Sequence, residues 1–127
     1  MIKAYVGTLI AFLAIDAVWL GVLSRGLYSR WIGHLMREEP LWPAAGVFYL
    51  MYVAGIVFFA VQPALGSGSW KTAALHGAVL GFIAYATYDM TNYATLKDWP
   101  LAMVLVDLAW GTLLTGTAAV AGFLIAR

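Results

Sequence analysis

The chain has 127 residues, of which 64% are hydrophobic and only 10% are charged. Soluble domains carry about 25% charged residues, so this composition excludes a water-soluble globular protein and predicts an integral membrane protein. The net charge is +1 and no basic residues cluster, which excludes a nucleic-acid-binding protein. The absence of cysteine excludes disulfides, iron–sulfur clusters and thiolate zinc sites.

Four apolar segments are each long enough to cross a bilayer, for which a helix needs roughly 20 residues. They are predicted at about residues 4–23, 43–62, 70–96 and 100–127. These spans take up most of the chain, so residues 1–127 are predicted to form one transmembrane domain without a soluble domain. We therefore expect an all-α polytopic membrane protein, a four-helix bundle built from two helical hairpins.

A faint tandem repeat favours the two hairpins. Trp-Pro pairs open the second span at residues 42–43 and the fourth at residues 99–100. In a similar way, Asp16 with Trp19 on the first span resembles Asp89 with Asn92 on the third. Chance coincidence explains the same pattern equally well, since tryptophan and proline are common where membrane helices begin.

The connection between the first two spans, Arg25–Arg37, has an amphipathic pattern. Leu27, Trp31 and Leu35 recur at i, i+4 and i+8, while the basic side chains fall on the opposite side. The apolar side also includes Tyr28, Ile32 and Met36. This spacing predicts an amphipathic helix that lies in the membrane interface, between spans one and two. An ordinary loop with a chance apolar pattern is the alternative.

Three aspartates, Asp16, Asp89 and Asp107, fall inside predicted spans, where carboxylates are costly and mark functional-site candidates. Each lies eight or nine residues from a charged loop residue, which at about 1.5 Å per residue puts all three at one depth. No lysine or arginine lies in the interior of a span, so we expect at least one of these acids to be protonated or neutralised by a bound cation. The alternative is that each acid is protonated and only links helices through hydrogen bonds.

Aromatic side chains accompany these acids at the helical spacings that place residues on one face. The residues expected to form a ligand- and proton-binding site are Asp16, Trp19, Tyr49, Tyr52, Tyr85, Tyr88, Asp89, Asn92, Asp107 and Trp110. A polar pocket with aromatic walls suits an organic cation, through cation–π contact, or the polar head of a lipid-soluble molecule. Taken one at a time, the aromatic residues are equally consistent with interface anchoring or packing.

Neither a metal nor a cofactor is expected. The two histidines, His34 and His76, are too far apart in the pattern to form a metal site. Gly77 and Gly81 form a G-x-x-x-G pair on the third span, which predicts a close helix contact, either within the bundle or between subunits.

Four segments of the chain resemble the bacterial membrane family DUF2177. They are residues 16–21 (DAVWLG), 48–55 (FYLMYVAG), 85–100 (YATYDMTNYATLKDWP) and 107–112 (DLAWGT). The resemblance implies a small four-helix protein of the bacterial inner membrane, with Asp16, Asp89, Asn92 and Asp107 as motif positions. It implies no particular activity. Members of the family often neighbour enzymes that modify fatty acids, which favours lipid chemistry.

Three functions fit these patterns. The first is binding or transport of a small or lipid-like ligand with proton coupling, for which a chain of this length would need to form a homodimer in the lipid bilayer. The second is a membrane enzyme of lipid or isoprenoid modification that uses an aspartate pair as acid and base. The third is an accessory subunit of a membrane complex, in which the acids have a structural role.

Overall fold

The computed structural model describes residues 1–127 and contains only helices and the turns that join them, which confirms the predicted all-α class. The helical elements are α1 (Ile2–Val18) with a π-helical turn Trp19–Leu23, α2 (Leu27–Ile32) with a 3₁₀ turn Gly33–Leu35, α3 (Trp42–Ile56) with a π-helical turn Val57–Val61, α4 (Gln62–Ser67), α5 (Trp70–Thr95) and α6 (Leu101–Ala126). Because α3, its π-helical turn and α4 follow without a break, they form one continuous helix, Trp42–Ser67.

The helix ends lie at residues suited to turns and caps. Gly26 and Gly68 have φ angles of 81° and 72°, in the left-handed region that glycine adopts without a steric penalty. Ser69 caps α5, because its hydroxyl accepts a hydrogen bond from the Lys71 amide at 3.2 Å. Pro100 directly precedes α6, where no amide hydrogen is needed. Helices therefore begin at residue 70 and just after residue 100, close to the predicted positions.

Three helices are long and apolar enough to cross a membrane, namely Ile2–Leu23, Trp42–Ser67 and Leu101–Ala126. They correspond to the first, second and fourth predicted spans. Helix α5 is as long as α6, at 26 residues, but it is not among the three. Its second half carries tyrosines, threonines, an aspartate and an asparagine, which lower its hydropathy. The third predicted span therefore stays a prediction.

Helix α6 runs antiparallel to both α1 and α5. At one end of α1, a Cβ atom added to Gly7 would lie 2.9 Å from the Ile125 side chain. At the other end of α1, Trp19 stacks on Trp110. Along α5, the residue order also reverses, because Gly77 faces Ala119 and later residues of α5 face earlier residues of α6.

The G-x-x-x-G pair of α5 makes the close contact with α6. A Cβ atom added to Gly77 would lie 2.8 Å from the Ala119 side chain and 3.0 Å from the Gly116 Cα atom. A Cβ atom added to Gly81 would lie 2.7 Å from Thr115 and closer still to the Gly111 carbonyl oxygen. Since both contacts lie within one chain, the pair packs α5 against α6 and does not join subunits, in agreement with the first of the two predicted alternatives.

A core of 13 buried apolar residues fills the space between the long helices, from their middle to the end where both termini lie. These residues are Ala4, Phe12, Val53, Ile56, Val57, Ala60, Val61, Ala64, Ala73, Leu114, Ala118, Ala119 and Phe123. Near the termini, hydrogen bonding between Gln62 and Met1 joins α4 to the start of α1. This end of the molecule contains no buried acid.

The amphipathic segment packs onto the opposite end, against the start of α6. Tyr28, Trp31 and Ile32 contact a small apolar cluster formed by Trp99, Met103 and Val104. The basic side chains of the segment are exposed, as its pattern predicts.

The helix of this segment is shorter than the sequence predicts. It covers six residues rather than the whole of Arg25–Arg37. Gly33 begins a 3₁₀ turn and Met36 is extended, because glycine is a poor helix former and weakens the helix after Ile32. As a result Leu35 and Met36, expected on the apolar face, are about half exposed.

Candidate functional site

A cavity of about 340 Å³ lies at the end of the helices opposite the termini, beneath α2. Its lining combines two carboxyl groups with six aromatic and three aliphatic side chains. These residues are Asp16, Trp19, Leu20, Tyr28, Ile32, Tyr49, Tyr85, Tyr88, Met103, Asp107 and Trp110. No lysine or arginine lines it. The volume is within the range of small-molecule sites, roughly 300–1,000 Å³.

Asp16 enters the cavity from α1 and is held by a tyrosine of α3. The Tyr49 hydroxyl donates a hydrogen bond to Asp16 Oδ2 at 3.0 Å. The Tyr49 ring is in turn oriented by an edge contact with Phe12, with ring centroids 5.8 Å apart. Asp16 is 9% exposed, and the hydrogen bond from Tyr49 engages one of its two carboxylate oxygens.

Asp107 enters from α6 and is held by α2. The Tyr28 hydroxyl donates to Asp107 Oδ1 at 2.5 Å and accepts a hydrogen bond from the Trp19 indole at 3.1 Å. Burial and the bond to Asp107 raise the pKa of Tyr28 above its ordinary value, so this hydroxyl stays protonated as a donor. The chain Trp19–Tyr28–Asp107 thus ties three helical segments together across the cavity.

Two stacked tryptophans form part of the cavity lining. Trp19 and Trp110 stack with ring centroids 4.4 Å apart and an interplanar angle of 11°. The Trp110 indole lies beside Asp16, but its buried N–H has no hydrogen-bond partner. A buried donor without a partner costs about 1–3 kcal/mol.

Asp89 lies behind the cavity rather than in its lining. It is fully buried, with the Asp107 carboxyl and the Trp99 indole beside it. Neither carboxylate oxygen of Asp89 accepts a hydrogen bond from an N–H or O–H group. A proton shared between Asp89 and Asp107 would give Asp89 the partner that its burial requires.

Two tyrosines of α5 connect this cavity to a second concavity. Tyr85 and Tyr88 line both the cavity and an adjoining groove of about 410 Å³, whose other walls are Phe48, Tyr52 and Ala84. Tyr52, expected near the acids, lies in this groove, and its hydroxyl shares a hydrogen bond of 2.8 Å with Thr115.

Asn92 lies outside the site predicted for it. It is half-buried and lines neither the cavity nor the groove. It follows Asp89 by nearly one turn, which moves it along α5 towards the loop and past the level of the acids. Sharing a helical face with Tyr85 was therefore not sufficient to bring Asn92 to the cavity.

Sequence reasoning missed Tyr28 as a site residue. It was assigned to the apolar face of the interfacial helix, which is where the structure has it. Its hydroxyl was the available signal, because a polar group on the buried face of an amphipathic helix needs a partner inside the protein.

Comparison with known families now identifies the chain. The family described as "Predicted membrane protein (DUF2177)" matches residues 1–124. The chain belongs to the DUF2177 family. No curated protein and no solved structure is similar enough to count as a match.

The four segments that resemble DUF2177 meet at the cavity of this DUF2177 protein. Each segment contributes a lining residue, namely Asp16, Tyr49, Tyr85 and Asp107. Residues that are far apart in the chain therefore surround one space. No three histidine, aspartate or glutamate side chains cluster in a way that could hold a metal ion.

Proposed function

We propose that this protein crosses the bacterial inner membrane four times and binds a small or lipid-like ligand in the cavity, exchanging protons with it. The proposal takes α5 as the remaining span. In support, α5 equals α6 in length and packs against it through Gly77 and Gly81. Asp89 is the residue of α5 whose exposure to lipid would cost the most free energy, and it is fully buried, so it would not face lipid.

One observation carries the proposal. Asp16 and Asp107, from two different helices, line the same cavity, and no basic residue lines it with them. A carboxylate can accept several hydrogen bonds. Asp16 and Asp107 each accept one from a tyrosine, so both can accept further hydrogen bonds from a ligand. Such an arrangement favours a ligand that brings positive charge or hydrogen-bond donors.

Proton exchange follows from the same arrangement. Two ionised carboxylates that share a low-dielectric cavity repel each other, so the empty site is more stable with a proton on at least one. When a ligand with an ammonium group enters, its charge replaces that of the proton, and the proton leaves to water. Asp89 is beside Asp107 but shielded from the cavity, so it is placed to hold a proton while Asp107 binds the ligand.

Transport through the membrane would need a second copy of the chain. The cavity lies at one end of the helices, and the opposite end is filled by the core described above. A homodimer would allow a pathway to form between two chains, and it is part of the transport version of this proposal.

The test uses butylammonium as the probe and protein purified in detergent in weakly buffered solution. We expect butylammonium to release about one proton per ligand bound, since each positive charge bound displaces one. Asp16→Asn and Asp107→Asn should both abolish the release, because each removes a charge-bearing group from the cavity. The matched control is Asp98→Asn, since Asp98 is exposed and its φ of 61° suits asparagine equally well.

The proposal would be overturned if butylammonium released no protons from the wild-type protein. It would also fail if the two cavity variants released as many protons as Asp98→Asn, because release would then come from elsewhere.

A second candidate function, a membrane enzyme of lipid or isoprenoid modification, is favoured by one observation. Asp89 and Asp107 lie side by side in unlike surroundings, since Asp107 accepts a bond from Tyr28 while Asp89 has no donor. Unequal carboxyl pairs serve as acid and base in several enzymes. This function predicts that cells that lack the protein have an altered lipid profile, which the wild type restores and Asp89→Asn does not. An unchanged lipid profile would exclude it.

A further inference from the structure

The groove between α3 and α5 has no charged residue in its lining. It measures about 410 Å³, and its walls are Phe48, Tyr52, Ala84, Tyr85 and Tyr88. Two of these walls, Phe48 and Tyr88, are more than half exposed, so the groove opens on the side of the molecule. In a membrane-spanning protein this side faces the hydrocarbon of the bilayer.

The groove exists because α3 and α5 diverge. The contacts of α5 with the second long helix lie in the π-helical turn Val57–Val61 and in α4. One of them is a polar contact of 3.2 Å between His76 Nδ1 and the Phe59 carbonyl oxygen. Towards Trp42, the two helices separate, and aromatic side chains line the gap.

The groove and the cavity adjoin each other and differ in chemistry. Tyr85 and Tyr88 belong to both linings, so these two side chains lie at the boundary between the two spaces. The cavity side offers the carboxyls of Asp16 and Asp107, and the groove side offers only aromatic rings and Ala84. A ligand that fills both parts must therefore be amphiphilic.

We propose that the ligand is an amphiphilic amine, whose ammonium head binds between Asp16 and Asp107 and whose hydrocarbon tail lies in the groove. This inference rests on the proposed function and adds the class of ligand. An anionic head is excluded because the cavity contains carboxylates and no basic residue. The stacked indoles of Trp19 and Trp110 favour a cation further, through cation–π contact.

The route of entry follows from the position of α2. At the aqueous end, Tyr28 lines the cavity and is bonded to Asp107, while Trp31 and Ile32 pack on the start of α6. The groove is open along the side of the helices. An amphiphilic amine already dissolved in the bilayer can therefore reach the groove laterally without moving α2, and its head enters the cavity past Tyr85 and Tyr88.

The test must separate binding in the groove from simple partitioning into lipid, because the tail gains little hydrophobic free energy on leaving a bilayer that is as apolar as the groove. We therefore compare variants and not chain lengths alone. The protein is placed in phosphatidylcholine nanodiscs, and the Kd values of butylamine, dodecylamine and dodecanol are measured by calorimetric titration.

The key variant is Ala84→Phe, which fills the groove from a residue that does not itself line the cavity. We expect it to weaken dodecylamine binding about tenfold, through lost tail contacts, and to change butylamine binding less than about twofold. The matched control is Val79→Phe, since Val79 is on the same helix but lines a separate surface groove with Phe59. This control should leave both Kd values unchanged.

A second variant removes a wall of the groove. Phe48→Ala deletes an exposed ring that stacks on Tyr52, so it leaves no cavity in the core. We expect it to weaken dodecylamine binding about threefold, because part of the tail loses its contacts, and to leave butylamine binding unchanged.

The outcomes separate this inference from the proposed function. If neither Ala84→Phe nor Phe48→Ala changes dodecylamine binding while butylamine still binds, the tail site is wrong and the proposed function stands. If dodecanol binds as tightly as dodecylamine, the cationic head is wrong. If butylamine does not bind the wild-type protein and releases no protons, the proposed function fails and this inference fails with it.

Discussion

The two halves of α6 have opposite surroundings. In the half that ends at Ala126, the small residues Gly116, Ala119 and Gly122 let neighbouring helices come into backbone contact. In the half that begins at Leu101, Asp107 and Trp110 face a cavity instead. The same helix is therefore tightly packed at one end of the molecule and borders a cavity at the other. The size of the side chains that face it determines whether the helices touch or a cavity remains.

The face of α5 towards α6 makes this transition over four positions that are spaced four residues apart. Gly77 and Gly81 allow close contact, Tyr85 comes next, and Asp89 is last. A Cβ atom added to Gly111 would overlap the Tyr85 ring, so Gly111 marks the level at which a large ring replaces backbone contact. Beyond it the helices are held apart by aromatic side chains, and a cavity remains.

Disrupting the close contact between α5 and α6 in the tightly packed half should have the largest effect on stability. In Gly81→Ala the new methyl group would meet the Gly111 carbonyl oxygen and the Thr115 side chain, which cannot both move aside. We expect a loss of at least about 2 kcal/mol, as for other overpacked cores, measured by unfolding in detergent. The control is Gly55→Ala, since nothing lies within 4 Å of the Cβ atom it would add. Equal stability of the two variants would contradict the close packing.

Removing a hydrogen bond in the half that contains the cavity should lower the stability by a smaller amount. Tyr28→Phe removes the bond to Asp107 and the acceptor for the Trp19 indole. We expect a loss of about 1 kcal/mol and faster hydrogen exchange in α2, because this bond fixes α2 over the cavity. Tyr93→Phe is the control, since Tyr93 is 44% exposed. Unchanged exchange in α2 would show that the apolar cluster alone holds it.

A substitution at the boundary between the two halves of α6 should have the smallest effect on stability. Tyr52→Phe removes a hydrogen bond to Thr115 and leaves the edge contact of the ring with Phe12 in place. Hydrogen bonds between membrane helices contribute about 0.6 kcal/mol on average, so we expect a loss of that size in the unfolding free energy. A loss as large as that of Gly81→Ala would mean that this bond, and not backbone contact, holds the halves together.

Composition and spacing predicted much of this arrangement. The apolar segments indicated the helices, and the depth of Asp16, Asp89 and Asp107 indicated that they lie at one level. The rotation of each helix about its axis could not be predicted, because it depends on which side chains pack between helices. For that reason the sequence placed Asn92 with the acids and did not separate Asp89, behind the cavity, from the other two.

The position of α2 beside the cavity was the other feature that could not be predicted from the sequence pattern. Its amphipathic spacing indicated a helix in the membrane interface, but apolar periodicity does not distinguish a face turned to lipid from one turned to protein. The structure turns Tyr28 and Ile32 towards the cavity.

Ligand binding in the cavity can be measured most directly by protection of a single cysteine, because the chain has no cysteine of its own. Leu20 lines the cavity, whereas Leu23, later in the same π-helical turn, does not. In Leu20→Cys, butylammonium should slow labelling by a methanethiosulfonate reagent, and in Leu23→Cys it should have no effect. Equal labelling rates at Leu20→Cys with and without butylammonium would contradict a ligand site between Asp16 and Asp107.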